Sequence, residues 1–181
     1  MKLQQKGLLK PYISRTKISK RVKELASRIS RDYSRKNRSG APIFIGVLNG
    51  SFIFISDLVR ELKIDIEIDF LKLSSYGDTK ISSGEVKMLK DLNCTIEGRD
   101  IIVIEDIVDS GLSLKYIRDL ILSHNPASLE FAALLYKKGL SGLDFDVKYI
   151  GFKIPNKFVV GYGLDFAQKY RNLKDIFILK N

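Results

Sequence analysis

An α/β fold is predicted by three features of the chain. From about Ile43 onward, short apolar runs alternate with stretches whose apolar residues recur at spacings of three and four. Two of the runs, Pro42 to Leu48 and Ile101 to Ile104, are almost unbroken, as expected of strands buried on both faces of a parallel sheet. Each run ends in a turn rich in Gly, Asn, Asp or Ser before a helical spacing resumes. At 181 residues and 45% hydrophobic content, the chain has the size of one domain and enough apolar side chains to bury a core.

Several classes of protein are disfavoured at once. No apolar stretch approaches the roughly twenty residues that span a bilayer. The start, Met1-Lys2-Leu3-Gln4-Gln5-Lys6, lacks the apolar segment and small-residue cleavage site of a secretory signal, and the single cysteine, Cys94, has no partner for an intrachain disulfide. The expectation is a cytoplasmic protein with no membrane association. With 31 basic and 21 acidic residues the formal charge is +10, which favours anionic partners without separating nucleic acids from phosphorylated small molecules.

Ile18, Val22, Leu25, Ile29 and Tyr33 form an apolar helical stripe, and Lys20, Arg21, Lys23, Arg28 and Arg31 occupy the other faces. This predicts a helix packed on the domain with a solvated basic side. Pro42 to Leu48 is the first central strand. Phe52, Ile55, Leu58, Val59 and Leu62 follow at helical spacing, so the Asn49-Gly50-Ser51 turn joins a strand's C-terminal end to a helix start, where free N–H groups can hold an anion. Ile64 to Phe70 alternates strictly, which predicts a strand with one polar face near a sheet edge. The polar stretch Ser74 to Lys87 fits either a lid or a hairpin. Leu129 to Tyr136, Val147 to Phe152, Phe158 to Tyr162 and Ile176 to Leu179 read as further short strands. His124 and Cys94 carry no chemical signal. His124 lies at a helix end before Asn125-Pro126.

The chemistry concentrates after Ile101 to Ile104, where Glu105 and Asp106 sit at the C-terminal end of a buried strand. Open α/β sheets bind ligands in the crevice outside such ends. Adjacent carboxylates repel, and they need Mg²⁺, ribose hydroxyls or a cation as compensation unless they lie exposed in an acidic loop. Asp109-Ser110-Gly111-Leu112-Ser113 then supplies a glycine, two hydroxyls and a helix start. The residues alone fit a phosphate cradle and an ordinary N-capped turn equally well.

Val103-Ile104-Glu105-Asp106-Ile107-Val108-Asp109-Ser110-Gly111 resembles the phosphoribosyl-diphosphate signature of type I phosphoribosyltransferases. Gly46 to Phe52, Ser74 to Gly77 and Val147 to Asp165 extend the resemblance to the purine-salvage branch, the hypoxanthine-guanine phosphoribosyltransferases, over roughly residues 40 to 180. The resemblance implies a central, mainly parallel sheet flanked by helices, all in one domain over residues 1–181. Its core would be about 40–145, with a small hood from the N-terminal segment and about 146–181. It also implies substrates, phosphoribosyl diphosphate and a 6-oxopurine, with Mg²⁺ as cofactor, a homodimer or homotetramer, and no nucleic-acid partner.

Residue roles follow from the same resemblance. Glu105 and Asp106 would hold the ribose and support the metal site. Asp109, Ser110, Gly111, Leu112 and Ser113 would wrap the 5′-phosphate, with Asp109 also the general acid/base. Lys137 would donate to the purine 6-oxo group, although unaided it and Lys138 look like a solvated pair. Phe158 would stack on the base, Val159 would read its edge by its backbone, and Asp165 would border the base and ligate a second magnesium. Asn49, Gly50 and Arg171 would meet the pyrophosphate, and Ser75 and Tyr76 would begin a closing lid. Asn49 is a departure, since the family often has lysine there. The turn is therefore expected to bind pyrophosphate mainly through backbone donors. The rival from another class is an RNA-binding regulator on the same fold, drawing on the basic Lys17 to Arg38 segment, but Lys137, Asp165 and the acids exceed what RNA binding needs.

Overall fold

The computed structural model describes residues 8–34, 40–75, 86–139 and 142–180. In chain order the elements are β1 (Leu9–Ile13), α1 (Arg15–Ser34), β2 (Ile43–Leu48), α2 (Phe52–Glu61), β3 (Glu67–Ser75) and β4 (Val86–Lys90). β5 (Asp100–Val108), α3 (Leu112–Leu122), β6 (Ser128–Lys137), β7 (Tyr149–Ile154), β8 (Val159–Val160) and β9 (Ile176–Leu179) follow. Two sheets result. The larger has the order β4-β3-β2-β5-β6-β7 and is parallel except for β4. The smaller, β1-β9-β8, is antiparallel and built from the two ends of the chain. β7 pairs with β6, so the larger sheet runs past residue 145.

Strict alternation within β2 and β5 divides the core into two layers. Phe44, Ile102 and Ile104 face α1 and α2, packing with Ile18, Leu25, Ile29, Phe54 and Leu58. Ile43, Ile45, Ile101 and Val103 face the other way, onto Leu114, Ile117 and Ile121 of α3. Continuous apolar runs were the correct sign for these strands, because both of their faces are covered. The basic face of α1 remains at the surface, as its stripe pattern predicts.

Elsewhere the structure differs from the sequence reading. β3 begins at Glu67 rather than Ile64, although it does lie near the sheet edge, beside the edge strand β4. Its alternation is not inside-apolar: Ile68 is 46% exposed while Asp69 is buried. Asp69 is held there by donors. The N–H groups of Phe70 (2.7 Å), Asn93 (2.6 Å) and Cys94 (3.1 Å) all point at its carboxylate, and Lys90 Nζ lies 3.4 Å away. Burial raises its pKa, but these donors more than offset that and hold it well below the usual carboxylate range. Burial, reinforced by Asp69, pushes the Cys94 thiol up to about 11. Ser74 and Ser75 pair with Lys87 and Val86, so the ends of the polar stretch form a hairpin. Tyr76 and the rest of the expected lid lie outside the described residues.

Candidate active site

β5 carries the acids, and it is longer than its apolar run. Pairing with β6 continues through Glu105↔Ala133, Ile107↔Leu135 and Val108↔Tyr136, so Glu105 and Asp106 belong to the strand itself. Glu105 is 9% exposed. Burial pushes its carboxyl well above the usual range, and the neighbouring Asp106 charge adds to the effect. Burial raises Asp106 too, against the Ile107 N–H at 2.8 Å and a weaker pull from Arg171. No group of three or more potential metal-ligating side chains forms among the described residues.

The Asn49-Gly50-Ser51 turn is wedged beside these acids. The Leu48–Asn49 peptide is cis, Asn49 is exposed, and Ser51 Oγ donates to the Val47 carbonyl at 2.6 Å. At Gly50 a Cβ would stand 1.8 Å from Asp106 Oδ2, so a side chain there collides with the carboxylate. Across the turn, a Cβ on Gly163 would lie 2.2 Å from the Gly50 carbonyl oxygen. The hood thus approaches the turn backbone to backbone.

After β5 the chain enters α3 through Gly111, whose φ of +82° favours glycine. Gly111 has no side chain to cap this helix, and the Leu112 N–H makes only a long bond, 3.4 Å, to Ser110 Oγ. Asp109, which an N-capped turn would have used as the cap, instead accepts a hydrogen bond from Lys137 Nζ at 2.5 Å. Lys137 is buried at 7% exposure, contrary to the solvated pair its residue type suggests, whereas the Asp109 side chain is half exposed. Glu105, Asp109, Ser110, Gly111 and Ser113 surround a recess of about 70 Å³. The arrangement offers a helix start that can take an anion, and beside it a carboxylate and a buried ammonium donor within one hydrogen bond of each other.

The hood supplies a second group. Arg171 donates through Nη1 to the Gly163 carbonyl (2.8 Å) and through Nη2 to Asp165 Oδ1 (2.7 Å) and Gln168 Oε1 (3.1 Å). The Gln168 N–H donates to Asp165 Oδ2 at 2.8 Å, so both carboxylate oxygens of Asp165 are engaged. Val159 is buried, but Phe158 is half exposed. β8 covers only Val159–Val160 of the expected Phe158 to Tyr162 strand, because Gly161 and Tyr162 turn away with positive φ.

Residues 13–167 match the family model described as a phosphoribosyl transferase domain. The hypoxanthine-guanine phosphoribosyltransferase of Bacillus subtilis is 44% identical over 171 residues, covering 94% of this chain and 93% of that protein. The protein of the same name from Dictyostelium discoideum is 45% identical over 166 residues, covering 90% and 91%. The chain belongs to the hypoxanthine-guanine phosphoribosyltransferase family. A crystal structure of such an enzyme from Bacillus anthracis, with a HEPES molecule in its active site, superposes with a TM-score of 0.88 at 43% identity, covering 96% of this chain and 99% of that one. The chain also matches the bifunctional TilS/HprT protein of Listeria monocytogenes at 44% identity, spanning about a quarter (26%) of that longer relative.

Within this family frame, three tethers escaped the sequence reading. The Lys137–Asp109 pair joins β6 to the β5–α3 turn. Tyr162 donates from its phenol to Asp57 Oδ2 at 2.7 Å, fixing the hood to α2, and burial raises that phenol's pKa. Phe166 meets Phe158 ring to ring. The first two join residues 28 and 105 positions apart in the chain, and no periodicity signals such pairs.

Proposed function

We propose that the chain transfers the phosphoribosyl group of phosphoribosyl diphosphate to N9 of a 6-oxopurine, hypoxanthine or guanine, releasing pyrophosphate. The observation that carries this reading is the buried Lys137 held on Asp109 beside the start of α3. An ammonium has donors only, so it serves a 6-oxo group and gives a 6-amino group no acceptor. The α3 turn takes the 5′-phosphate on backbone N–H groups and the Ser110 and Ser113 hydroxyls. Glu105 and Asp106 face the ribose hydroxyls, and Phe158 and the Val159 backbone hold the base.

In the reaction, N9 forms a bond to the anomeric carbon as the bond to the pyrophosphate oxygen breaks. The electron pair of that broken bond leaves with pyrophosphate. Positive charge develops on the ribose, and Asp109 takes the proton at purine N7. Arg171, already within reach of the Gly50 turn through Gly163, meets the departing charge. Mg²⁺ is part of the proposal. Adjacent carboxylates with raised pKa values, Glu105 buried and Asp106 half-buried, suit a hard cation, and Mg²⁺ is commonly held by one or two carboxylates together with substrate phosphates. Bound there, it would neutralise charge on the diphosphate. Asp165 would ligate a second magnesium only by sharing an oxygen now given to Arg171 or Gln168.

A cytoplasmic setting and self-association into a homodimer or homotetramer belong to the same proposal. The exposed Phe52 (42%) and Ile68 (46%) support the latter as apolar surface available for a second copy. No helix among the described residues is long and apolar enough to cross a membrane. The reaction is tested by ultraviolet assay with phosphoribosyl diphosphate and Mg²⁺, offering hypoxanthine, guanine, xanthine, adenine and uracil separately. Conversion of hypoxanthine or guanine with adenine and uracil inert is expected. Inertness toward every base, with salt-sensitive RNA binding, would replace the enzyme with a regulator.

A further inference from the structure

Phe158 and Phe166 leave two large apolar rings at the surface, each 50% exposed, although the neighbouring Val159 and Val160 are buried. They are in contact: the ring centroids lie 5.7 Å apart with the planes at 88°, the edge-to-face geometry that aromatic quadrupoles favour. Phe166 is itself firmly placed. Its N–H donates to the Lys169 carbonyl at 3.2 Å, and the Lys169 N–H returns the bond at 3.0 Å, closing a tight turn. Ala167 and Gln168 within this turn have φ of +50° and +63°, a conformation that L residues adopt rarely. The turn is braced from below, because Asp165 accepts from the Gln168 N–H and Arg171 donates to the Gln168 side chain. Phe166 therefore projects from a fixed platform onto a ring whose backbone lies just before β8.

We propose that Phe166 is a positioning residue that fixes the plane of the Phe158 ring, and so sets the affinity of the site for the purine base. This rests on the reading of Phe158 as the base-stacking side chain. A half-exposed phenylalanine without a neighbour on its side samples several rotamers, and ordering it on binding costs affinity. Phe166 removes that cost in advance. Its platform is shared with Asp165 and Arg171, so the base-stacking ring and the pyrophosphate side of the site are set by one turn.

The test compares wild type, Phe166→Leu, Phe166→Tyr and Phe158→Leu, and the double variant Phe158→Leu/Phe166→Leu, by steady-state kinetics. Phe166→Leu is expected to raise KM for hypoxanthine roughly threefold to tenfold, from the strength of one edge-to-face contact. The KM for phosphoribosyl diphosphate and kcat should stay within about twofold, a split that general loss of structure does not produce. Phe166→Tyr, which keeps the aromatic ring, should behave as wild type. In the Phe158→Leu background the same Phe166→Leu change should have little further effect. An unchanged hypoxanthine KM in Phe166→Leu, failure of Phe166→Tyr to restore it, or full additivity in the double variant would overturn the inference while wild-type turnover left the enzymatic reading intact. Absence of wild-type turnover overturns both.

Discussion

Lys137 and Asp109 hold each other at 2.5 Å, one buried and the other half in water, so the cation that would read the base and the carboxylate that would take the proton in the proposed reaction stand in register. Asp109→Asn preserves shape and removes the base. It is expected to lower kcat roughly 10²-fold to 10⁴-fold with both KM values little changed, and wild-type turnover would remove Asp109 from the mechanism. Lys137→Met should lower kcat/KM for hypoxanthine about 10-fold to 100-fold, the worth of a charge-assisted hydrogen bond. Because Asp109 is solvated, its melting temperature should change little. Residue chemistry made Glu105, Asp106 and the Asp109 to Ser113 turn visible in the sequence. It hid Lys137, because a Lys-Lys pair at a strand end looks solvated and only tertiary packing buries it. Resemblance to the family supplied that residue, as well as Arg171 and Asp165.

At the scale of elements, close approach governs two expected outcomes. Gly50→Ala places a methyl group where the Asp106 carboxylate stands, so the turn and the acid both shift. A rise of at least about tenfold in KM for phosphoribosyl diphosphate is expected, and a wild-type value would show that the turn is free to move aside. Asp69 anchors β3 to the segment after β4, and Asp69→Asn should cost about 1–3 kcal/mol in denaturant unfolding. Since the folded carboxyl has a lowered pKa, its contribution is full above the unfolded value of about 3.9 and is lost as pH falls through the folded one. Lys90 and the Cys94 thiol are the titratable groups facing it, and burial holds the thiol at about 11, far above that window. The stability gap between wild type and Asp69→Asn should therefore narrow only below about pH 4, and a gap independent of pH would contradict the linkage. β2, α1 and β9 were legible because a single dominant period marked each. β1 and β4 were not: each is five residues long, and β1 finds its partner, β9, at the opposite end of the chain. β3 misled because an alternating pattern assumes that acids face water, and Asp69 faces three N–H donors instead.

At the scale of the whole molecule, the larger sheet and the α3 turn carry Glu105, Asp106 and Asp109, and the hood carries Phe158, Asp165 and Arg171. The two parts meet where Gly163 abuts the Gly50 carbonyl and where Tyr162 bonds Asp57. Tyr162→Phe should loosen this seam and lower stability by about 1 kcal/mol, measured as a shift in denaturant midpoint. The two-layer core was readable from apolar runs, but the hood's placement was not, because it depends on contacts between the chain ends. Chelation of divalent cations should abolish turnover and Mg²⁺ should restore it, and turnover unaffected by chelator would remove the metal from the proposal. The most direct test offers the chain equal amounts of hypoxanthine and adenine with phosphoribosyl diphosphate and Mg²⁺, and separates the products by chromatography. Inosine monophosphate with equimolar pyrophosphate, and no adenosine monophosphate, is the expected result. Adenosine monophosphate in comparable amount, or no nucleotide at all, would contradict the assignment of Lys137 as the reader of a 6-oxopurine.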